Sequence, residues 1–177
     1  MANYMNVPGA QLTKKEREFI KSTVEKLAQN DKHITMVNIG IMWGGTMWCL
    51  RAGAPHGKLY GIDIAPEKWK IVERQSLNAE IVKCDSRVCY EQFEKDIDVL
   101  LIDGDHHYET VKRDIEGWVP KCKGIVIFHD YAPTELNMKQ FPELEGVKRA
   151  VDEYFSQHSE WKSIDTPDSI KAFKKCK

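Results

Sequence analysis

Long apolar runs are missing from this chain of 177 residues. None approaches the roughly 20 residues that a membrane-spanning helix needs, and the opening MANYMNVPGA has neither the charged start nor the apolar centre of a secretory signal. A cytoplasmic location is expected. An excess of one charge is missing too: 26 basic and 27 acidic residues give a formal net charge of -1. No overall field would hold a nucleic-acid backbone or an anionic membrane, and neither partner is expected. Cysteine is sparse. The five present, Cys49, Cys84, Cys89, Cys122 and Cys176, are odd in number and lack the paired spacing of a zinc site, which argues for reduced thiols in or near a core. The chain is too short for two ordinary enzyme domains but long enough for one well-buried core.

What the chain does have is alternation. LTKKEREFIKSTVEKLAQN opens with Thr13 and Glu16 at capping-box spacing and then sets Phe19, Ile20, Val24 and Leu27 on one helical face. Five short apolar runs follow, at 34–41, 58–64, 79–84, 97–103 and 124–130, as expected of strands buried on both faces. Between and after them, YETVKRDIEGWV and VKRAVDEYF carry helical periodicity. This pattern predicts a doubly wound α/β fold, Rossmann-like, with a mostly parallel sheet, helices on both faces and a C-terminal antiparallel hairpin formed around the Thr-Pro-Asp turn at 166–168. One domain over 1–177 is expected: an N-terminal helical segment (1–33), a cofactor-binding core (34–130), a loop or lid (132–146) with two prolines and little periodicity, and a C-terminal helix and hairpin (147–177).

In such a sheet, ligands bind beyond the carboxyl ends of the strands. The exit from the first strand, NIGIMWGGT, offers Gly40, Gly44 and Gly45 for a sharp turn and a helix starting near Thr46. Met42 stands where the second glycine of a dinucleotide fingerprint belongs, so a pyrophosphate grip is disfavoured. Asp63 ends the second strand, where a carboxylate can accept from both hydroxyls of a ribose. Asp85 and Ser86 follow the third strand, near an adenine or simply as a helix cap. Asp103 and Asp130 end adjacent strands, about 4.8 Å apart, and two carboxylates so placed repel unless they share a proton or a cation. Asp103, Asp130 and His129 are therefore candidate metal ligands, for Mg²⁺ or another divalent cation. Asp105 and His106 are candidate catalytic residues at the same strand mouth.

Together, VNIGIMWGGT, LYGIDI, LLIDGDHHYETVKRDIEGWVPKCKGIVIFHDY and GVKRAVDEYF make the chain resemble the small class I S-adenosylmethionine-dependent methyltransferases, a group that includes sugar O-methyltransferases and cephalosporin-hydroxylase-like proteins. The resemblance covers roughly residues 34–155. It implies S-adenosylmethionine as cofactor, with Gly40 at its methionine end and Asp63 at its ribose, and Asn38, Gly44, Gly45, Thr46, Asp85, Ser86 and Asp103 are the further candidate cofactor-binding residues. It also implies Asp103 and Asp130 as metal ligands, with Asp105 as a base. Two positions depart from the group: Asn38 stands where a glutamate is frequent, and His129 replaces the first acid of the pair in the metal-dependent sugar enzymes, which suits Zn²⁺ or Fe²⁺ better than Mg²⁺.

The implied function is O-methyl transfer to a small-molecule hydroxyl with metal or acid–base assistance. The alternatives are a catalytically silent S-adenosylmethionine-binding module and, on the strength of Asp-His-His alone, a metal-dependent phosphoesterase. Five tryptophans, Trp43, Trp48, Trp69, Trp118 and Trp161, either fill the core or form a homo-oligomeric surface.

Overall fold

The computed structural model describes residues 4–6, 11–65 and 77–176; Trp69 lies outside them. In chain order the elements are α1 (Lys14–Ala28), β1 (Thr35–Ile39), α2 (Gly45–Gly53), β2 (Lys58–Asp63), β3 (Glu80–Lys83), α3 (Ser86–Cys89), β4 (Ile97–Ile102), α4 (Tyr108–Trp118), β5 (Cys122–Phe128), α5 (Glu135–Gln140), α6 (Glu145–Ser156), β6 (Trp161–Ile164) and β7 (Lys171–Lys175). The seven strands form one sheet in the order β3-β2-β1-β4-β5-β7-β6. The first five run parallel, and β7 pairs antiparallel with both β5 and β6. The doubly wound sheet and its closing hairpin are thus present as the sequence predicts.

Strand periodicity divides the core into two layers. Successive side chains point to opposite faces, so Met36, Val99, Leu101 and Ile127 join Ile20 and Val24 of α1 and Met47 and Leu50 of α2 on one side. Val37, Leu100, Val126 and Phe128 meet Val111, Ile115 and Trp118 of α4 and Val147 and Val151 of α6 on the other. With apolar side chains leaving both faces, β1 and β4 are buried almost end to end. That double burial is why their sequences read as unbroken apolar runs rather than as alternation.

Helix α1 starts at the capping box read from the sequence: the Thr13 side chain accepts from Glu16 N, and the Glu16 side chain accepts from Thr13 N. Two readings need correction. The 132–146 segment is not a plain loop, since it holds α5, a 3-10 turn at Pro142–Leu144 and the start of α6. Helix α5 has no buried residue; without an apolar stripe it leaves no periodic signal, and the Thr134 cap together with the flanking prolines delimits it. Cys84 and Cys89 are joined in a disulfide rather than reduced, while Cys49 and Cys122 are the buried free thiols expected. Finally, among the described tryptophans Trp118 and Trp161 are buried in the core, whereas Trp43 is 37% exposed.

Candidate active site at the strand ends

Strand β1 has β2 on one side and β4 on the other, so the chain order reverses at its carboxyl end, the place where open α/β sheets bind ligands. A cavity of about 370 Å³ opens there. The exit loop of β1 shapes one wall. Gly40 has φ 79° and Gly44 φ 77°, both in the left-handed region, and a Cβ on Gly40 would stand 2.0 Å from the Asp103 carbonyl oxygen. Glycine at 40 is therefore required so that the loops after β1 and β4 can close on one another. Met42 between them also has positive φ, 46°.

Asp63 ties this loop down. Its Oδ2 accepts from Ile41 N at 2.8 Å and Met42 N at 3.4 Å, and its Oδ1 accepts from Ala65 N at 2.7 Å. A carboxylate offers about four lone-pair positions, so these three bonds leave acceptor capacity on a residue that lines the cavity. Asn38 does not line the cavity. It is fully buried behind the loop, where Nδ2 donates to the Gly40 carbonyl at 2.6 Å and Oδ1 has no hydrogen-bond partner. Gly45 and Thr46 lie on the wall at the start of α2, and Asp85 and Ser86 on the far side. Asp85 is the helix cap that the sequence allowed: it accepts from Arg87 N at the start of α3, and its carboxylate pairs with the Arg87 guanidinium, which holds its pKa below the usual range.

The opposite wall is acidic. Asp103, His129 and Asp130 offer donor atoms within 4.8 Å of one another. His129 Nδ1 stands 3.2 Å from Asp103 Oδ1 and 3.1 Å from Asp130 Oδ2, and Nε2 is 3.5 Å from Glu16 Oε2. Burial by itself would lower the pKa of this imidazole; the charge of Asp103 and the close carboxylates of Asp103, Asp130 and Glu16 outweigh it, raise the pKa and favour the protonated ring. Strand geometry places the trio: His129 N donates to the carbonyl of Ile102, so the exits of β4 and β5 lie side by side.

The two adjacent histidines separate. His106 lines the cavity, with Nε2 3.3 Å from Asp130 Oδ2. His107 is exposed, and it is His107, not His106, whose ring bonds Asp105, with Nδ1 2.7 Å from Oδ1. Asp105 Oδ1 also accepts from the backbone N–H groups of His106 and His107. Partial burial works to raise its pKa, but the bonds from His107 and Thr110 prevail and bring it to about 2.

Eleven of the residues singled out from the sequence thus meet in one cavity, while Asn38 and Gly44 act from behind it. The sequence reading missed Glu16, whose signal was available: it shares the 16, 20, 24 spacing of the buried face of α1, where a carboxylate needs a partner. It also missed Leu12 and Trp43 on the rim, and nothing in their local pattern marks them.

Sheet order, the antiparallel hairpin and a strand-end cavity built on a glycine turn define a class I methyltransferase fold. The chain belongs to the methyltransferase-domain family, whose model matches residues 37–131, just over half its length. Among solved structures, the O-methyltransferase of Bacillus cereus in complex with SAH is 19% identical with a TM-score of 0.67, covering 96% of this chain and 85% of its own. The SAH-bound methyltransferase PaMTH1 of Podospora anserina is 12% identical with a TM-score of 0.66, over 87% and 76%. The methyltransferase MycE of the mycinamycin pathway, in complex with Mg, SAH and mycinamycin VI, is 14% identical with a TM-score of 0.68. There 98% of this chain covers 52% of MycE. At such identities the likeness establishes the fold. A curated protein of Sinorhizobium fredii, uncharacterized protein y4gI, is 47% identical over 36 residues, which are 19% of this chain and 4% of that protein. Among the described residues, no helix is long and apolar enough to cross a membrane.

Proposed function

We propose that the protein transfers a methyl group from S-adenosylmethionine to a hydroxyl of a small-molecule acceptor, assisted by a divalent cation held by Asp103, His129 and Asp130. The observation that carries this is the sharing of one cavity by a glycine turn backed by Asp63 and a carboxylate–imidazole trio. Structures of the same fold with SAH, and in one case with Mg and mycinamycin VI as well, support the reading.

The residues present fit both groups. S-adenosylmethionine carries no phosphate, which matches a glycine turn without the pyrophosphate fingerprint. The trio offers a cation two carboxylate oxygens and, once the ring gives up the Nδ1 proton to the incoming ion, a neutral imidazole nitrogen. When bound, the sulfonium would furnish an electrophilic methyl, and the ion would lower the pKa of a hydroxyl beside it. Asp63 would accept from the ribose, and the backbone at Gly40 and Gly45 would leave room for the methionine end. Asp103, His129 and Asp130 fix the direction of the acceptor oxygen, and alignment of that kind supplies much of the rate in an in-line transfer.

The acceptor proton goes to His106, whose Nε2 is buried in the cavity wall without a hydrogen-bond partner and is steered by Asp130. Asp105 is the weaker candidate base, because its hydrogen bonds hold it far below the working range of a base at neutral pH. The test is methyl transfer with mass detection against a panel of sugars, phenols and nucleotides, with and without chelator. Transfer to a hydroxyl, lost on chelation and in Asp103→Asn, is expected; calorimetry that finds NAD binding and neither S-adenosylmethionine nor SAH binding overturns the reading.

A further inference from the structure

Glu16 belongs to α1, outside the segment that matches the family, yet it reaches the acidic wall. It is 1% exposed. Its Oε2 accepts from Thr13 N at 2.8 Å, and its Oε1 accepts from Ser169 N at 2.9 Å and Ser169 Oγ at 2.6 Å. Thus α1 and the turn between β6 and β7 hold this carboxylate from two sides. Its Oε2 stands 3.5 Å from His129 Nε2, a buried nitrogen with no hydrogen-bond partner of its own. The other ring nitrogen, Nδ1, is the one that faces Asp103 and Asp130.

A histidine that binds a cation through one ring nitrogen carries its proton on the other, and the acceptor of that proton sets tautomer and ring orientation. We propose that Glu16 is the positioning residue of the cation site: it accepts the Nε2 proton, so that His129 presents Nδ1 to an ion shared with Asp103 and Asp130. The inference rests on the metal reading above and sharpens it. A locked imidazole nitrogen among carboxylate oxygens favours Mn²⁺, Fe²⁺, Co²⁺ or Zn²⁺ over Mg²⁺. Glu16 also completes the capping box of α1 from its N3 position and anchors the hairpin turn, so the test must separate these roles.

Metal-free protein is titrated with Co²⁺ by its visible absorption and with Mg²⁺ by calorimetry. Wild type should bind Co²⁺ at least tenfold more tightly than Mg²⁺. Glu16→Gln should weaken Co²⁺ by about 10–100-fold. Thr13→Ala removes the cap hydroxyl of the same helix but leaves Glu16 beside Ser169 and His129. It should lower the melting temperature and keep Co²⁺ affinity within about twofold of wild type, taken here as the limit for an effect not felt at the ligand. If Glu16→Gln does not fold, nitrogen NMR of the Zn²⁺-loaded wild type decides: His129 should be metal-bound at Nδ1 and protonated at Nε2. Unchanged Co²⁺ affinity in Glu16→Gln, an equal loss in Thr13→Ala, or the reverse tautomer overturns the role of Glu16 and leaves the metal reading standing. A wild type that binds no divalent ion removes both.

Discussion

Asp114 is 1% exposed in α4, and neither carboxyl oxygen meets hydrogen-bond geometry. Burial raises its pKa to about 7; the nearby Ser86 hydroxyl offsets this in part, and the charge of Asp85 adds to it. The sign follows from linkage. Between about pH 4 and 7 the folded chain holds a proton at Asp114 that the unfolded chain has released, so stability is full below the unfolded value and falls as pH rises to about 7. A shift of this size corresponds to something of the order of 4 kcal/mol. Asp114→Asn keeps the shape without the charge, and should flatten the pH dependence of urea unfolding across that window and raise stability at pH 8. Parallel profiles for the two proteins would show that Asp114 is not the group responsible. Among single residues, those that punctuate backbone were the legible ones: Gly40, Asp63, Asp103 and Asp130 sit at strand exits, and a strand exit is marked by where an apolar run stops. The burial of Glu16 was legible in the spacing of α1, but its meeting with His129 was not, nor was the His107–Asp105 pairing, because each depends on how a separate element or a ring rotamer meets the site.

At the scale of elements, strands buried on both faces announced themselves as apolar runs, and α1, α4 and α6 as stripes. What the runs leave open is which element covers the far edge of β5. There β7 pairs with β5, and Phe173 stacks on Phe155 of α6 with ring centroids 3.7 Å apart and planes 4° apart, while meeting Phe128 edge to face. These rings join helix, hairpin and parallel sheet. Phe173 is buried, so Phe173→Ala should cost about 3–5 kcal/mol in chemical denaturation, the range for emptying an aromatic site in a packed core. A loss under about 1 kcal/mol would mean that the hairpin is held by its backbone ladder and that the aromatic stack adds little. The hairpin turn also supplies Ser169 to Glu16, so the closing element of the sheet packs into the core and stands two contacts, through Glu16 and His129, from the cavity.

For the whole molecule, near-neutral net charge conceals an uneven distribution, with Asp63, Asp103, Asp105 and Asp130 around one cavity. Positive ligands are drawn there by local charge rather than by an overall field. Any ligand that binds the folded chain alone stabilises it, by about 2.7 kcal/mol at one hundred times its dissociation constant. For a chain of this length each kcal/mol moves the melting temperature by about 2–4 °C, so saturating SAH should raise it by roughly 5–11 °C. NAD should not do so, since the β1 turn lacks the glycine that lets a pyrophosphate approach. Two variants separate the two halves of the cavity. Asp63→Ala removes the acceptor beneath the glycine turn and should abolish most of the SAH shift, while a Co²⁺ shift persists. Asp103→Asn should do the opposite, because its carboxylate belongs to the trio and the substitution leaves the backbone that packs on Gly40 in place. If both variants lose both shifts, the cavity responds as one unit and its division into a nucleoside half and a cation half is wrong. If neither variant loses either, the ligands bind elsewhere, and the acids at the strand ends serve the fold and not the ligand.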